Sequence, residues 1–442
     1  MSNCNKTLVI MTLLAIPAVG CAKKEVNPVP VAEIKKDYDR ELPPGQWGLR
    51  KIDPSEYPAF GDAYYSAKGP ALRTAVERSL NYMRKPSSRK HYPSGPLTHE
   101  QVVAGLTQFL GAIDSSRSPQ DLDAAIRRDF DVYTSIGCDD AGTVLFTGYY
   151  SPIFNGSLTR TDQYKHPIYK LPPDLQKDAE GNPVGGKWRT RRDIESGGAL
   201  AGNELAYVSD PFEAYVMTVQ GSGFIRLPEG QMYEVGYAGH NGYDYTSVGK
   251  MLVADGRIER SQLSLDGMIR HFKAHPEDLD RYVNKNDRYV FFQETQGGPY
   301  GCLAEVVTPQ VSIATDKDIF PRACLTFVDT QIPRGPDGGK RPFKSFAVDQ
   351  DRGAAIRAPG RCDIFMGVGD SAGQIAGGTY NEGRLYYLVA KNGGGMQMPG
   401  GDPDDMVNAP ATFSTPASTA RPAAPVATIN DDAVDGELTR ID

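Results

Sequence analysis

The sequence predicts a mainly β protein entered through a set of N-terminal helices. Two observations carry that expectation. From Tyr57 to Arg128 apolar residues recur at helical spacing, whereas beyond Thr143 they fall in short runs of Val, Tyr and Phe bounded by glycine, the pattern of strands joined by turns. Composition agrees, because 47 Gly and 33 Pro supply many turns, and 23 Tyr suit half-buried strand positions.

The chain opens on an address. Lys6 precedes an apolar run, Leu8 to Ala18, too short to span a bilayer as a mature helix. It closes on Ala18-Val19-Gly20-Cys21, which resembles a bacterial lipobox. Residues 1–20 therefore read as a signal peptide and Cys21 as a lipidated N-terminus, with an ordinary secretory signal as the alternative. Ala22 is not the aspartate of inner-membrane retention, so the expected site is the outer membrane, with the body facing the periplasm. Residues 21–44, polar and rich in Lys, Val and Pro, read as a tether.

Helices come next. Ala71, Leu72, Ala75, Val76, Leu80 and Met83 form one stripe, and Val102 to Leu110 form another. Ser118-Pro119 ahead of Asp121 to Phe130 has the signature of a capped helix start. The strand-like runs are Val144–Phe146, Ala214–Val219, Phe224–Leu227, Tyr289–Phe292 and Tyr386–Val389, interrupted by one helix from Leu263 to about His275-Pro276. Residues 392–442, rich in Gly, Pro, Ala and Thr without periodicity, read as a disordered tail.

A net charge of -7 excludes a nucleic-acid binder that works through a basic face. In an exported chain Cys138, Cys302, Cys324 and Cys362 could form two disulfides in any of three connectivities, or stay as buried thiols. They contain no CxxC pair, which argues against zinc.

An ordered series of motifs runs from about residue 143 to 391: Phe146-Thr147-Gly148-Tyr149-Tyr150-Ser151-Pro152, His166-Pro167-Ile168-Tyr169, Thr190-Arg191-Arg192-Asp193, Asp210-Pro211-Phe212-Glu213, Val219-Gln220-Gly221-Ser222-Gly223 and Tyr237-Ala238-Gly239-His240-Asn241-Gly242-Tyr243-Asp244-Tyr245. Gln350-Asp351-Arg352-Gly353 and Cys362-Asp363-Ile364-Phe365 follow, with Asp316 upstream. The series resembles the membrane-bound lytic murein transglycosylase A family, with a C-terminal three-aspartate (3D) module. One departure stands at Pro321-Arg322-Ala323, where the family usually has Pro-Leu-Gly.

The resemblance implies a double-psi β-barrel (residues 291–391) with a second, barrel-like β-domain (149–290) inserted into it. A groove forms between them, and residues 45–148 form a helical part packed on the barrel. It further implies a carbon–oxygen lyase that cleaves MurNAc-β-1,4-GlcNAc bonds of peptidoglycan and leaves 1,6-anhydro ends, in cell-wall turnover. Asp363 would be the general acid and base, supported by Asp351 and Asp316. The implied partners are glycan strands, the outer membrane through the lipid, and cell-wall synthesis or division proteins.

The chemistry is coherent from first principles. Breaking a glycosidic bond needs a proton for the leaving oxygen, and a hydrolase adds a second carboxylate. When the C6 hydroxyl of the same sugar attacks C1, effective molarity replaces activated water and one carboxyl suffices. That acid must hold its proton, so burial or a neighbouring carboxylate should raise its pKa. Asp351 could be that neighbour, or a ligand of backbone amides. Successive residues on a strand face opposite ways, so an Asp363 facing a groove sends Cys362 into the barrel. A sugar groove also wants aromatics among amides and hydroxyls, which nominates Thr147, Gly148, Tyr149, Tyr150, Gln220, Ser222, Tyr237, Asn241 and Tyr245 as substrate contacts.

Two other patterns read as structural. Gly369-Asp370-Ser371-Ala372-Gly373 matches G-x-S-x-G, but no histidine follows it, so a tight glycine turn is expected. His271 and His275 stand one helical turn apart without an HExxH pattern. No metal and no cofactor are expected. A water-using muramidase and a non-catalytic peptidoglycan-binding lipoprotein are the alternatives.

Overall fold

The computed structural model describes residues 36–391, apart from 179–181, 197, 260–261, 264 and 336–338. The signal peptide, Cys21 and the tail fall outside the described residues. In chain order the strands are β1 (Leu49–Lys51), β2 (Phe130–Ser135), β3 (Val144–Ser151), β4 (Ile153–Ser157), β5 (His166–Tyr169), β6 (Glu204–Val208), β7 (Gly223–Arg226), β8 (Met232–His240), β9 (Val290–Glu294), β10 (Ser312–Ala314), β11 (Leu325–Pro333), β12 (Lys340–Asp351), β13 (Arg361–Val368) and β14 (Tyr380–Ala390).

They form two sheets. The larger has the order β1-β2-β14-β11-β12-β10-β13-β3, and a further β14–β3 pairing closes its last six strands into a barrel. Two of the joins are parallel, β10 with β12 and β13 with β3, so the ring is not a simple meander. The second sheet, β5-β6-β4-β7-β8-β9, is built from strands that lie in sequence between β3 and β10. A bridge between Lys170 and Phe292 brings its two edges together.

The barrel and the N-terminal helices share one core. The helices Pro70–Arg84, His99–Ser115 and Pro119–Asp129 bury Leu72, Val76, Leu106, Phe109 and Ile126 against Phe327, Phe346 and Val348. Phe109 meets Phe346 at 4.7 Å and Phe60 meets Phe327 at 5.2 Å between ring centroids. Thr98 and Gln101 cap the second helix reciprocally, and Ser118 caps the third, satisfying N–H groups that a helix start leaves unpaired.

Several expectations change. Ala214–Val219 is not a strand but part of a helix, Pro211–Gln220. The Asp210 carboxylate accepts the Phe212 N–H at 2.7 Å, Pro211 occupies the first turn, and Gly221 at φ 77° ends the helix. This cap chemistry and the packing of Phe212, Tyr215 and Val216 against Leu252 and Phe272 override the strand preference of a β-branched run. Nor is there one interrupting helix: Arg191–Ser196, Val248–Ala254 and Glu277–Val283 join Leu265–Ala274. With six or seven residues, each of those three is too short to show periodicity.

All four thiols, Cys138, Cys302, Cys324 and Cys362, are free, which removes the two-disulfide reading. They stand after β2, after β9, before β11 and on β13 respectively. The last residues assigned to the tether are bound rather than loose. Tyr38 donates to Glu382 at 2.5 Å and Arg40 pairs with Asp140 at 2.6 Å. Gly369–Gly373 opens a helix, Asp370–Gly378, with Ser371 exposed on its first turn. His271 bonds Asp278 at 3.0 Å, its ring against His275. Among the described residues no helix is long and apolar enough to cross a membrane.

Candidate active site

A cleft of about 1290 Å³ is lined by both sheets. Its barrel wall carries Gly148 and Tyr149 of β3, Asp351 at the end of β12, and Asp363 and Phe365 of β13; its opposite wall carries Tyr237 and His240 of β8 and the Gly221-Ser222 turn.

Asp363 faces this cleft while Cys362 is fully buried in the barrel core, as strand alternation requires. Thr147 lies opposite Asp363 in the parallel β3–β13 register and donates its hydroxyl to Oδ1. Arg361 reaches the same hydroxyl from Nη2 at 3.3 Å and pairs through Nη1 with Asp39 at 3.2 Å. Burial pushes the Asp363 pKa above the ordinary carboxylate range, against the Arg361 charge and the Thr147 hydrogen bond. Desolvation wins, so this acid holds its proton more tightly than a solvated one.

Asp351 is a different kind of carboxylate. Its Oδ1 accepts the backbone N–H groups of Cys302 at 3.0 Å and Arg352 at 2.8 Å, and its Oδ2 accepts the Tyr149 hydroxyl at 2.7 Å. Burial raises its pKa too, and these three bonds oppose the rise. Of the two roles open to it, its contacts describe the ligand of backbone amides. Asp316 does not reach the cleft lining. It caps the loop after β10, accepting N–H bonds from Asp318 at 3.1 Å and Ala358 at 3.0 Å.

The nominated contacts divide. Gly148, Tyr149, Gln220, Ser222, Tyr237 and Tyr245 line the cleft. The Tyr149 ring leans on Phe365 at 5.2 Å, and Tyr237 is 37% exposed. Gln220 accepts the Tyr150 N–H through Oε1 at 3.3 Å, so a ligand would meet its amide nitrogen. Ser222 shares a hydrogen bond with Ser151 at 3.0 Å. Thr147 acts on Asp363 rather than lining the cleft. Gly148 is required for packing: a Cβ there would lie 2.7 Å from the Ala376 Cα.

Two further nominated residues do not line this cleft. Tyr150 is buried in the barrel core, its ring against Gly373, and lines only a smaller cavity of about 230 Å³ shared with Tyr215 and Tyr245. Asn241 is 0% exposed. Its Nδ2 donates to Arg189 O at 2.8 Å and Asp287 O at 2.7 Å, and its Oδ1 accepts Tyr289 N at 2.9 Å. That side chain is a clamp between two backbone segments, at Arg189 and at Asp287–Tyr289.

Sequence reasoning missed the cations. Arg288, Arg352 and Arg357 line the cleft beside His240. The His240 Nδ1 accepts the Gly242 N–H at 2.9 Å, leaving the proton on Nε2, 3.3 Å from the Asn182 Oδ1. Burial first, then the positive Arg288 and Arg352, pull its pKa down to about 3, so His240 stays neutral. Arg352 follows Asp351 directly in a quoted motif, a signal that pointed here.

Residues 145–293 match the family model described as the MltA specific insert domain, and residues 311–389 match the 3D domain. The membrane-bound lytic murein transglycosylase A of Escherichia coli K12 is 31% identical over 271 residues, covering 60% of this chain and 71% of that protein. The Vibrio cholerae protein of the same name is 31% identical over 263 residues, covering 58% and 68%. Among solved structures, a membrane-bound lytic murein transglycosylase from Agrobacterium tumefaciens superposes with a TM-score of 0.63 at 23% identity, covering 78% of this chain and 98% of that one. E. coli MltA with bound chitohexaose does so with a TM-score of 0.60 at 23% identity, covering 80% and 98%. At such identities the structural likeness establishes the fold.

Proposed function

The chain belongs to the membrane-bound lytic murein transglycosylase A family, and from that premise we propose that its cleft binds a peptidoglycan glycan strand and cleaves MurNAc-β-1,4-GlcNAc bonds without water. The observation that carries the reading is the isolation of Asp363, a half-buried carboxyl facing the cleft with its pKa raised. Among the described residues the other carboxylates lining the cleft are Asp351, committed to three donors, and the exposed Asp244. The neutral oligosaccharide chitohexaose occupies a relative of the same fold, which supports a sugar-binding role for this groove.

The step balances with one carboxyl. Asp363 gives its proton to the glycosidic oxygen as the bond from that oxygen to C1 of N-acetylmuramic acid breaks. The C6 oxygen of the same sugar forms the new bond to C1 and yields its proton to Asp363, which regains its starting state. Because the nucleophile is already attached, its effective molarity stands in for a base-activated water.

The lipobox-like Ala18-Val19-Gly20-Cys21 and the membrane-bound relatives support an outer-membrane lipoprotein facing the periplasm. Cys21→Ser should release the protein from the membrane fraction. Docking to cell-wall synthesis or division proteins extends this reading, with residues 392–442 as the segment to delete in a pull-down.

The deciding experiment is mass spectrometry of products from purified sacculi. Expected products carry 1,6-anhydro ends and vanish with Asp363→Asn. Products one water heavier would replace this reading with a muramidase, and sacculus binding without release would make the protein a binding module.

A further inference from the structure

The chain is acidic, with a net charge of -7, yet one region of its cleft is cationic. Arg288 stands just before β9 on the inserted sheet, while Arg352 and Arg357 stand on the barrel loop between β12 and β13. All three are half-buried and line the same cleft as Asp363. They are close enough that Arg352 and Arg357 each lower the Arg288 pKa, after burial as the main cause. Like charges in a partly dry cleft repel and lose hydration, so the cluster is costly in the empty protein.

Local partners do not account for it. Arg288 Nη1 donates to the Tyr243 carbonyl at 2.8 Å and lies 3.3 Å from the His240 Nδ1; both partners are neutral. Arg357 makes one ion pair, with the exposed Asp318 at 3.7 Å. The Arg352 guanidinium has no carboxylate partner among the described residues. Asp178 and Asp244 act on this region only at a distance, Asp178 on His240 and Asp244 on Arg288. The backbone beneath Arg352 is nevertheless fixed, because its N–H is held by Asp351.

We propose that Arg288, Arg352 and Arg357 form an anion subsite that takes a carboxylate carried on the 3-O-lactyl branch of muramic acid. The proposal rests on the glycan-strand reading above and adds the charged branch as a recognised part of the substrate. A planar guanidinium pairs a carboxylate through two parallel N–H bonds, and the neutral His240 and Tyr243 carbonyl hold Arg288 in place without cancelling its charge. Two sources offer this chemistry: the free lactyl carboxylate of a peptide-free strand, and the acidic residues of an attached stem peptide. The neutral sugars of chitohexaose offer neither.

The test is calorimetric binding to the full chain in an Asp363→Asn background, which prevents turnover. Three ligands are compared: chitohexaose, peptide-free glycan strands of similar length, and peptide-bearing strands. The expected result is tighter binding of a charged strand than of chitohexaose by about tenfold, a preference that shrinks toward parity with added Arg352→Gln and with raised salt. Arg352→Lys should restore part of it. A gain for peptide-free strands alone assigns the subsite to the free lactyl carboxylate, which is an amide in a peptide-bearing strand; a gain for peptide-bearing strands alone assigns it to the stem, and a gain for both shows that it takes either carboxylate. Equal affinity for all three ligands, or an equal loss for all three with Arg352→Gln, overturns the subsite while leaving the strand reading intact. No binding of any of them by the Asp363→Asn protein overturns the strand reading itself, and the subsite with it.

Discussion

Asp351 and Asp363 flank a single residue: Ala314 of β10 pairs with Asp351 on parallel β12 and with Asp363 on antiparallel β13. Their backbones are therefore two strand spacings apart, roughly 10 Å, and their surroundings separate their tasks. Asp351 spends both oxygens on the barrel and on Tyr149, whereas among the described residues Asp363 accepts only a threonine hydroxyl.

The two Asn substitutions should consequently fail in different ways. Asp363→Asn removes the proton donor and should cost about 10²–10⁴-fold in anhydro-product release with no loss of stability. Asp351→Asn turns an amide group toward N–H donors and should cost about 1–3 kcal/mol in urea unfolding, with a smaller drop in rate. Equal effects of both on rate, with stability untouched, would make Asp351 a second chemical group.

The raised Asp363 pKa fixes two pH trends. Activity needs the protonated acid, so it falls as pH rises through that pKa. Arg361 opposes the rise, and Arg361→Gln should move the alkaline limb of the rate profile to higher pH. For stability, a carboxyl with a folded pKa above its unfolded value favours folding fully below the unfolded pKa, and that contribution is lost as pH rises through the folded one. Asp363→Asn should thus melt higher than the parent near neutral pH, with the gap closing in acid. An unmoved rate limb in Arg361→Gln would show that another group controls it.

Asn241 tests the difference between motif and contact. It sits in the middle of a quoted motif, yet its three hydrogen bonds to backbone are wholly internal. Asn241→Ala leaves buried peptide groups unpaired, each costing about 1–3 kcal/mol. Chemical denaturation should show a loss of that order, and the folded fraction should bind chitohexaose as before. Lost affinity without lost stability would return Asn241 to the groove.

That residue marks where sequence stops being legible. Period-two alternation placed Cys362 in the core and Asp363 outside it, because a strand enforces it whatever surrounds it. The Asp210-Pro211 helix start was equally local and readable in principle, but the run Ala214–Val219 looked like a strand until its partners Leu252 and Phe272 were known. Tyr150 and Tyr149 are adjacent tyrosines of one motif, and only the packing of Gly373 against Tyr150 and the reach of Tyr149 to Asp351 tell them apart. The arginine cluster joins residues more than 60 positions apart in sequence, Arg288 and Arg352, so no local pattern could announce it.

A last prediction concerns the floor beneath the site. Lys317 and Asp349 form an ion pair with both side chains fully buried, and Asp349 Oδ2 also accepts the hydroxyls of Thr315 and Tyr387 at 2.7 Å each. The group ties β12 to β14 and to the residue after β10, whose own N–H bonds the Asp351 carbonyl at 3.2 Å. Lys317→Met strands a carboxylate in the core and should cost about 3–5 kcal/mol, whereas the double variant Lys317→Met with Asp349→Leu removes both charges and should recover most of that loss. If the pair serves only the barrel, the double variant will also regain product release. Recovered stability with release still absent would mean that the pair orients β10, and through it the two aspartates on either side of Ala314.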